Sequence, residues 1–116
     1  MKKDREYILF LEDMVVSINR ILNYTNGYTY NMFVDDQKTI DAVTRNFEII
    51  GEAANSLPDE VKEKYPNVPW KQMYGLRNYA SHEYFGISLI TLWEIVENNL
   101  EGNKKDIENI ISSLKH

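Results

Sequence analysis

YILFLEDMVVSINRIL, residues 7–22, sets apolar side chains at Tyr7, Leu11, Met14, Ile18 and Ile21. Steps of three and four residues stack side chains along one stripe of a helix, so the stretch predicts an amphipathic helix from about Lys3 to Tyr24. It ends in TNGYTYNM, where Asn26 and Gly27 tolerate left-handed dihedrals. A second stripe through Ile40, Val43, Phe47, Ile50 and Ala54 predicts a helix from about Asp36 to Asn55, with Asp35 or Asp36 able to cap it. Leu57-Pro58-Asp59-Glu60 reads as a short helix with proline in its first turn, running only to Tyr65. Pro66 and Pro69 hold an extended connector, and Pro69 opens a further helix through Trp70, Met73 and Leu76, with Gly86 as its stop.

From about Ser88 the stripes Leu89, Leu92, Val96, Leu100 and Ile107, Ile110, Ile111, Leu114 predict a final helical region, bent or divided at ENNLEGNKK. The last residues, SSLKH, should fray. No segment alternates apolar and polar residues long enough to demand a strand, so the expected fold is an all-α bundle. Trp70 and Trp93 are the expected aromatic anchors.

At 116 residues, one domain spanning 1–116 is expected. Apolar residues make up 43% and charged residues 27%, the composition of a globular protein. The opening MKKDREYILF fits neither a cleavable signal nor a membrane span, and without cysteine there is no disulfide framework or thiolate metal site. A cytoplasmic location is expected. The net charge of −5 argues against a broad basic face for nucleic acid, so any such role needs a local cluster.

That cluster is RNYASHEYFG, residues 77–86. Arginine offers a rigid fork of donors for phosphate, while histidine exchanges protons near neutral pH. Together Arg77 and His82 suit metal-free cleavage of RNA: a base takes the ribose 2′-OH proton and a cation stabilises the phosphorane. Five residues apart, however, they lie about 140° apart around a regular helix. Either the helix distorts, or the arginine curls round, or two copies share the site. His116, the other histidine, is terminal. Glu48, Glu52, Glu83 and Glu94 form no metal-ligand array with histidine, and the five glycines form no phosphate loop. Gly75 is expected to let another helix or subunit approach closely.

RNYASHEYFGI, preceded by VPWKQMYGLRN and further upstream by RNFEIIGEAANSLP, resembles the HEPN domain, and within it the HepT-like toxin family. The resemblance runs over effectively the whole chain; its most specific part is Arg77, four residues, His82, one residue, then Tyr84. It implies an antiparallel helical bundle of about four to five main helices that forms a homodimer, with motifs from both copies lining one cleft. Two facing half-sites would relax the angular demand on a single helix. It further implies a metal-independent endoribonuclease, the toxin of a type VII toxin-antitoxin system, with Arg77 and His82 as catalytic residues, Asn78 supporting them, RNA as substrate and no cofactor. The partner it implies is a cognate minimal nucleotidyltransferase antitoxin that transfers AMP from ATP to Tyr84. Lys71 and Arg45 are the expected local contacts to RNA, although an ion pair between Arg45 and Glu48 or Asp41 would account for Arg45 equally well. A second class of function uses the same residues: a non-catalytic helical dimer that binds the nucleotidyltransferase or a nucleotide.

Overall fold

Residues Lys2–Tyr24 form one helix, α1, and its predicted stripe is a wall of the core: Leu11, Met14, Ile18 and Ile21 are fully buried. Tyr7, at the rim, is half-buried and its hydroxyl donates to Glu60 Oε1 at 2.7 Å. The structure, a computed structural model, describes residues 2–81 and 89–115, with side chains for 5–78 and 89–115. Among these residues it is all-helical and contains no strand.

The remaining helices are α2 (Tyr30–Val34), α3 (Gln37–Ser56), α4 (Asp59–Lys64), α5 (Trp70–Ser81), α6 (Leu89–Asn98) and α7 (Leu100–Lys115). Helix α3 is central: it packs against α1 on one side and α5 on another, and α7 closes against α1. Its stripe, Ile40, Val43, Phe47, Ile50 and Ala54, is buried as the periodicity predicts. Burying each large apolar side chain of this set contributes roughly 1.5–3 kcal/mol, so the two long stripes of α1 and α3 dominate the core.

Asp36, not Asp35, caps α3. Its Oδ1 accepts from Thr39 N at 3.1 Å, and its Oδ2 accepts from the Thr39 hydroxyl and from Tyr28 OH, each at 2.7 Å. These bonds, the Thr39 hydroxyl foremost and Tyr28 next, hold the Asp36 carboxyl below the ordinary carboxylate range. Asp35 ends α2 instead.

Helix α2 lies where only the end of a turn was expected. Gly27 makes the predicted left-handed turn at φ 78°, and Thr29 then caps five helical residues by accepting from Met32 N at 3.2 Å. A five-residue helix is too short for a periodic signal. It serves to seat Phe33, fully buried, against Trp93 of α6 with ring centroids 5.1 Å apart.

Proline stands one residue earlier than expected at α4: Pro58 is its N-cap, with Asp59 and Glu60 in the first turn and Lys62 and Lys64 in the last. That charge order complements the helix dipole. The ENNLEGNKK interruption divides α6 from α7 at Asn99, but Gly102 is not the breaking point, because it lies inside the first turn of α7. Asn99 is bonded to both helices: its N–H donates to Ile95 O and its O accepts from Asn103 N, each at 3.0 Å.

Candidate functional site

Helix α5 is held at its start by Trp70, which is buried and donates from Nε1 to Tyr65 O at 3.0 Å. Met73 and Leu76 bury the inner face. The opposite face carries Lys71, Tyr74 and Asn78, all exposed. Seven residues apart, Lys71 and Asn78 lie within about 20° of each other around the axis, with Tyr74 beside them.

Arg77 sits on the edge between these faces and is half-buried. Its position is set by Gly51 of α3. A Cβ built at Gly51 would stand 2.8 Å from each of Arg77 Cβ, Arg77 N and Tyr74 O, so the two helices approach there more closely than any other residue type at 51 would allow. The head of Arg77 is steered by a second contact, its Cζ lying 5.4 Å from the centre of the Tyr74 ring. The stem is therefore pinned at α3 and the guanidinium rests over an aromatic ring one turn earlier.

Gly75, expected to admit a close neighbour, meets nothing within 4 Å among the described residues. Between the described helices the close approach belongs to Gly51, which sequence reasoning passed over. Its signal was a glycine inside a strong helical stripe, where it costs about 1 kcal/mol relative to alanine unless packing requires it.

His82 and Tyr84 lie outside the described residues, as do Glu83 and Gly86, so the geometry between Arg77 and the rest of the motif is not among the described features. Arg45, the other expected RNA contact, is on α3, about 120° round that helix from Gly51. It is exposed and pairs with Glu48, Nη1 to Oε1 at 3.0 Å, as the ion-pair reading anticipated. Together with Phe10, Asp13, Ile49 and Glu52 these two residues line an open groove between α1 and α3. Lys71 thus stands with Tyr74, Arg77 and Asn78 on one helix, whereas Arg45 does not belong to that face.

The chain carries 18 Asp and Glu residues, yet from Lys64 through His82 there is none. Lys64, Lys71 and Arg77 lie within that window, so α5 is locally basic on an acidic protein. No group of three or more His, Asp or Glu side chains among the described residues is placed to hold a metal ion. No helix among them is long and apolar enough to cross a membrane.

The profile of the family described as "Ribonuclease HepT-like" matches residues 14–114. A Methanocaldococcus jannaschii protein named "Putative RNase MJ1380" is 43% identical over 104 residues, covering 90% of this chain and 95% of the relative. A Thermococcus cleftensis protein named "Probable ribonuclease HepT" is 35% identical over 101 residues, covering 87% of this chain and 92% of the relative. No solved structure matches the chain. The family match takes in α3, α5 and the Gly51 and Arg77 contact between them, and the relatives are covered almost end to end: the chain belongs to the HepT-like ribonuclease family.

Proposed function

We propose that the chain is an endoribonuclease toxin that cuts RNA without a metal ion, through Arg77 and His82 with Asn78 in support. In this reading His82 takes the proton from a ribose 2′-OH, and the 2′ oxygen attacks the adjacent phosphorus. The bond to the 5′ oxygen breaks, that oxygen takes up a proton, and a 2′,3′-cyclic phosphate is left. Arg77 binds the non-bridging oxygens and offsets the charge that builds there. Asn78, exposed on the next position of the same helix, supplies a neutral donor for the phosphate or sugar.

The observation that carries the reading is the seat of Arg77. A long cationic side chain is pinned at its stem by a backbone approach only glycine permits, and its head lies over the Tyr74 ring of a helix that carries no acid. A preorganised cation stabilises a developing charge without first having to reorient. Family membership supports the substrate class.

Two copies facing each other would bring both motifs into one cleft. A cognate minimal nucleotidyltransferase antitoxin would silence the toxin by transferring AMP from ATP to the Tyr84 hydroxyl, releasing pyrophosphate. The added phosphate would engage Arg77 and the adenosine would fill the cleft. A pair of this kind, a type VII toxin-antitoxin system, would act in the cytoplasm.

Cleavage of a labelled RNA panel in EDTA, by the parent and by His82→Ala, tests the reading. The expected result is a 2′,3′-cyclic phosphate end from the parent alone. Equal or absent cleavage in both would favour a non-catalytic dimer that binds the nucleotidyltransferase or a nucleotide.

A further inference from the structure

We infer that Tyr74 is a base-binding residue: the base of the nucleotide next to the phosphate held by Arg77 stacks against the Tyr74 ring and decides which residue of an RNA strand is presented for cleavage. The inference rests on the ribonuclease reading above and adds a subsite to it.

Tyr74 is 38% exposed, unusual for so large an aromatic side chain on a helix whose neighbours Met73 and Leu76 are buried. Its ring is not committed to the core; its described ring contact is with the Arg77 guanidinium, 5.4 Å away. With the guanidinium over one face of the ring a base would take the other, and the pair matches the two parts of a nucleotide, which present a phosphate and a flat base a few ångströms apart. Single-stranded nucleic acid is commonly held in this way, by a basic track for the backbone and an aromatic face for the base.

The surroundings fit a strand rather than an isolated nucleotide. Lys71 lies one turn before Tyr74 and Asn78 one turn after it on the same exposed face. The order along α5 is therefore cation, ring, then Arg77 with Asn78, and no carboxylate interrupts it. Trp70 and Gly51 fix the helix at two points, so the ring is presented by a rigid support. An RNA strand running along this face would place one phosphate at Lys71 and the next reacting phosphate at Arg77, with a base between them on Tyr74.

The test uses the full chain in three forms, parent, Tyr74→Leu and Tyr74→Phe, on a short RNA that the parent cleaves and on copies of it with one abasic unit moved stepwise along the strand. Cleavage and binding are measured together with thermal unfolding and oligomeric state. Stacking predicts that Tyr74→Leu weakens binding of the intact RNA on the order of ten- to a hundredfold and raises KM accordingly, because stacking of one base is worth roughly 1–3 kcal/mol. Tyr74→Phe should stay within about threefold of the parent, since the π-face remains. One abasic position should weaken binding to the parent and leave Tyr74→Leu indifferent.

An equal loss on intact and abasic RNA, or no loss at all, overturns the inference. A loss shared by Tyr74→Phe would assign the effect to the phenol oxygen, and a change of oligomeric state would assign Tyr74 to an interface between copies; either result also overturns stacking. If the parent neither binds nor cleaves any RNA, the ribonuclease reading itself falls, an outcome distinct from a parent that cuts and variants that cut alike.

Discussion

Gly51 of α3 and Arg77 of α5 meet backbone to stem, with no room for a side chain at position 51. Gly51→Ala would place a methyl group 2.8 Å from Arg77 Cβ, Arg77 N and Tyr74 O, two of them backbone atoms that yield only if the helices part. The expected destabilisation is about 1–3 kcal/mol, read as a lower urea midpoint at unchanged m-value, together with loss of RNA cleavage as Arg77 shifts. Gly75→Ala is the control. Among the described residues its Cβ would meet nothing within 4 Å, and the gain in helix propensity should raise stability by about 0.5–1 kcal/mol.

Phe33 is fully buried with its ring 5.1 Å from that of Trp93. Phe33→Ala should cost about 3–5 kcal/mol in chemical denaturation, a large penalty for a helix of five residues. A loss below 1 kcal/mol, on the order of a single surface change, would mean that α2 does not pin α6.

The Asp36 carboxylate accepts from Thr39 and Tyr28, and its pKa in the folded chain is lowered as a result. A folded value below the unfolded one means that the stabilisation is fully present above the unfolded carboxylate range. It is lost as pH falls through the folded value. Asp36→Asn should therefore melt below the parent near pH 7, and the two curves should converge in acid. A gap that persists unchanged at pH 2 would show that shape, not charge, makes the cap.

Lys71 is exposed on the face shared by Tyr74 and Asn78. If it meets a phosphate, Lys71→Gln should weaken RNA binding and lower the slope of log K against log salt by about 0.7, the value for one contact on a single strand. Arg45→Gln should leave that slope within error, because Arg45 points its charge at Glu48. Equal slopes for the parent and Lys71→Gln would remove Lys71 from the strand path.

Incubation with a cognate nucleotidyltransferase, ATP and Mg²⁺ should add AMP mass to the parent and none to Tyr84→Phe. Labelling of Tyr79 in place of Tyr84 would defeat the assignment of the acceptor.

Most of the fold was legible because the long helices bury single stripes: the periodicity of Leu11, Met14, Ile18 and Ile21, and of Val43, Phe47 and Ile50, survives intact in the core. What stayed hidden was structure that depends on tertiary contact. Helix α2 exists because Phe33 has a place beside Trp93, a fact no five-residue pattern contains. At the site, residue chemistry singled out Arg77 and His82 and the family resemblance added Asn78; Arg77 and Asn78 stand at one end of α5, and His82 lies outside the described residues. Gly51 could not be found in the same way, since its role is defined by a helix that approaches from elsewhere in the chain. Gly75 was the more visible glycine only because it stands next to the motif.

Asn99 bonds into both α6 and α7, and this decides where the protein first opens. The Asn99 and Asn103 amides are both engaged, whereas those of Leu100, Glu101 and Gly102 stand in the first turn of α7, where a helix supplies no acceptor of its own. Deuterium uptake should therefore begin at Leu100, Glu101 and Gly102 and reach Asn99 and Asn103 later.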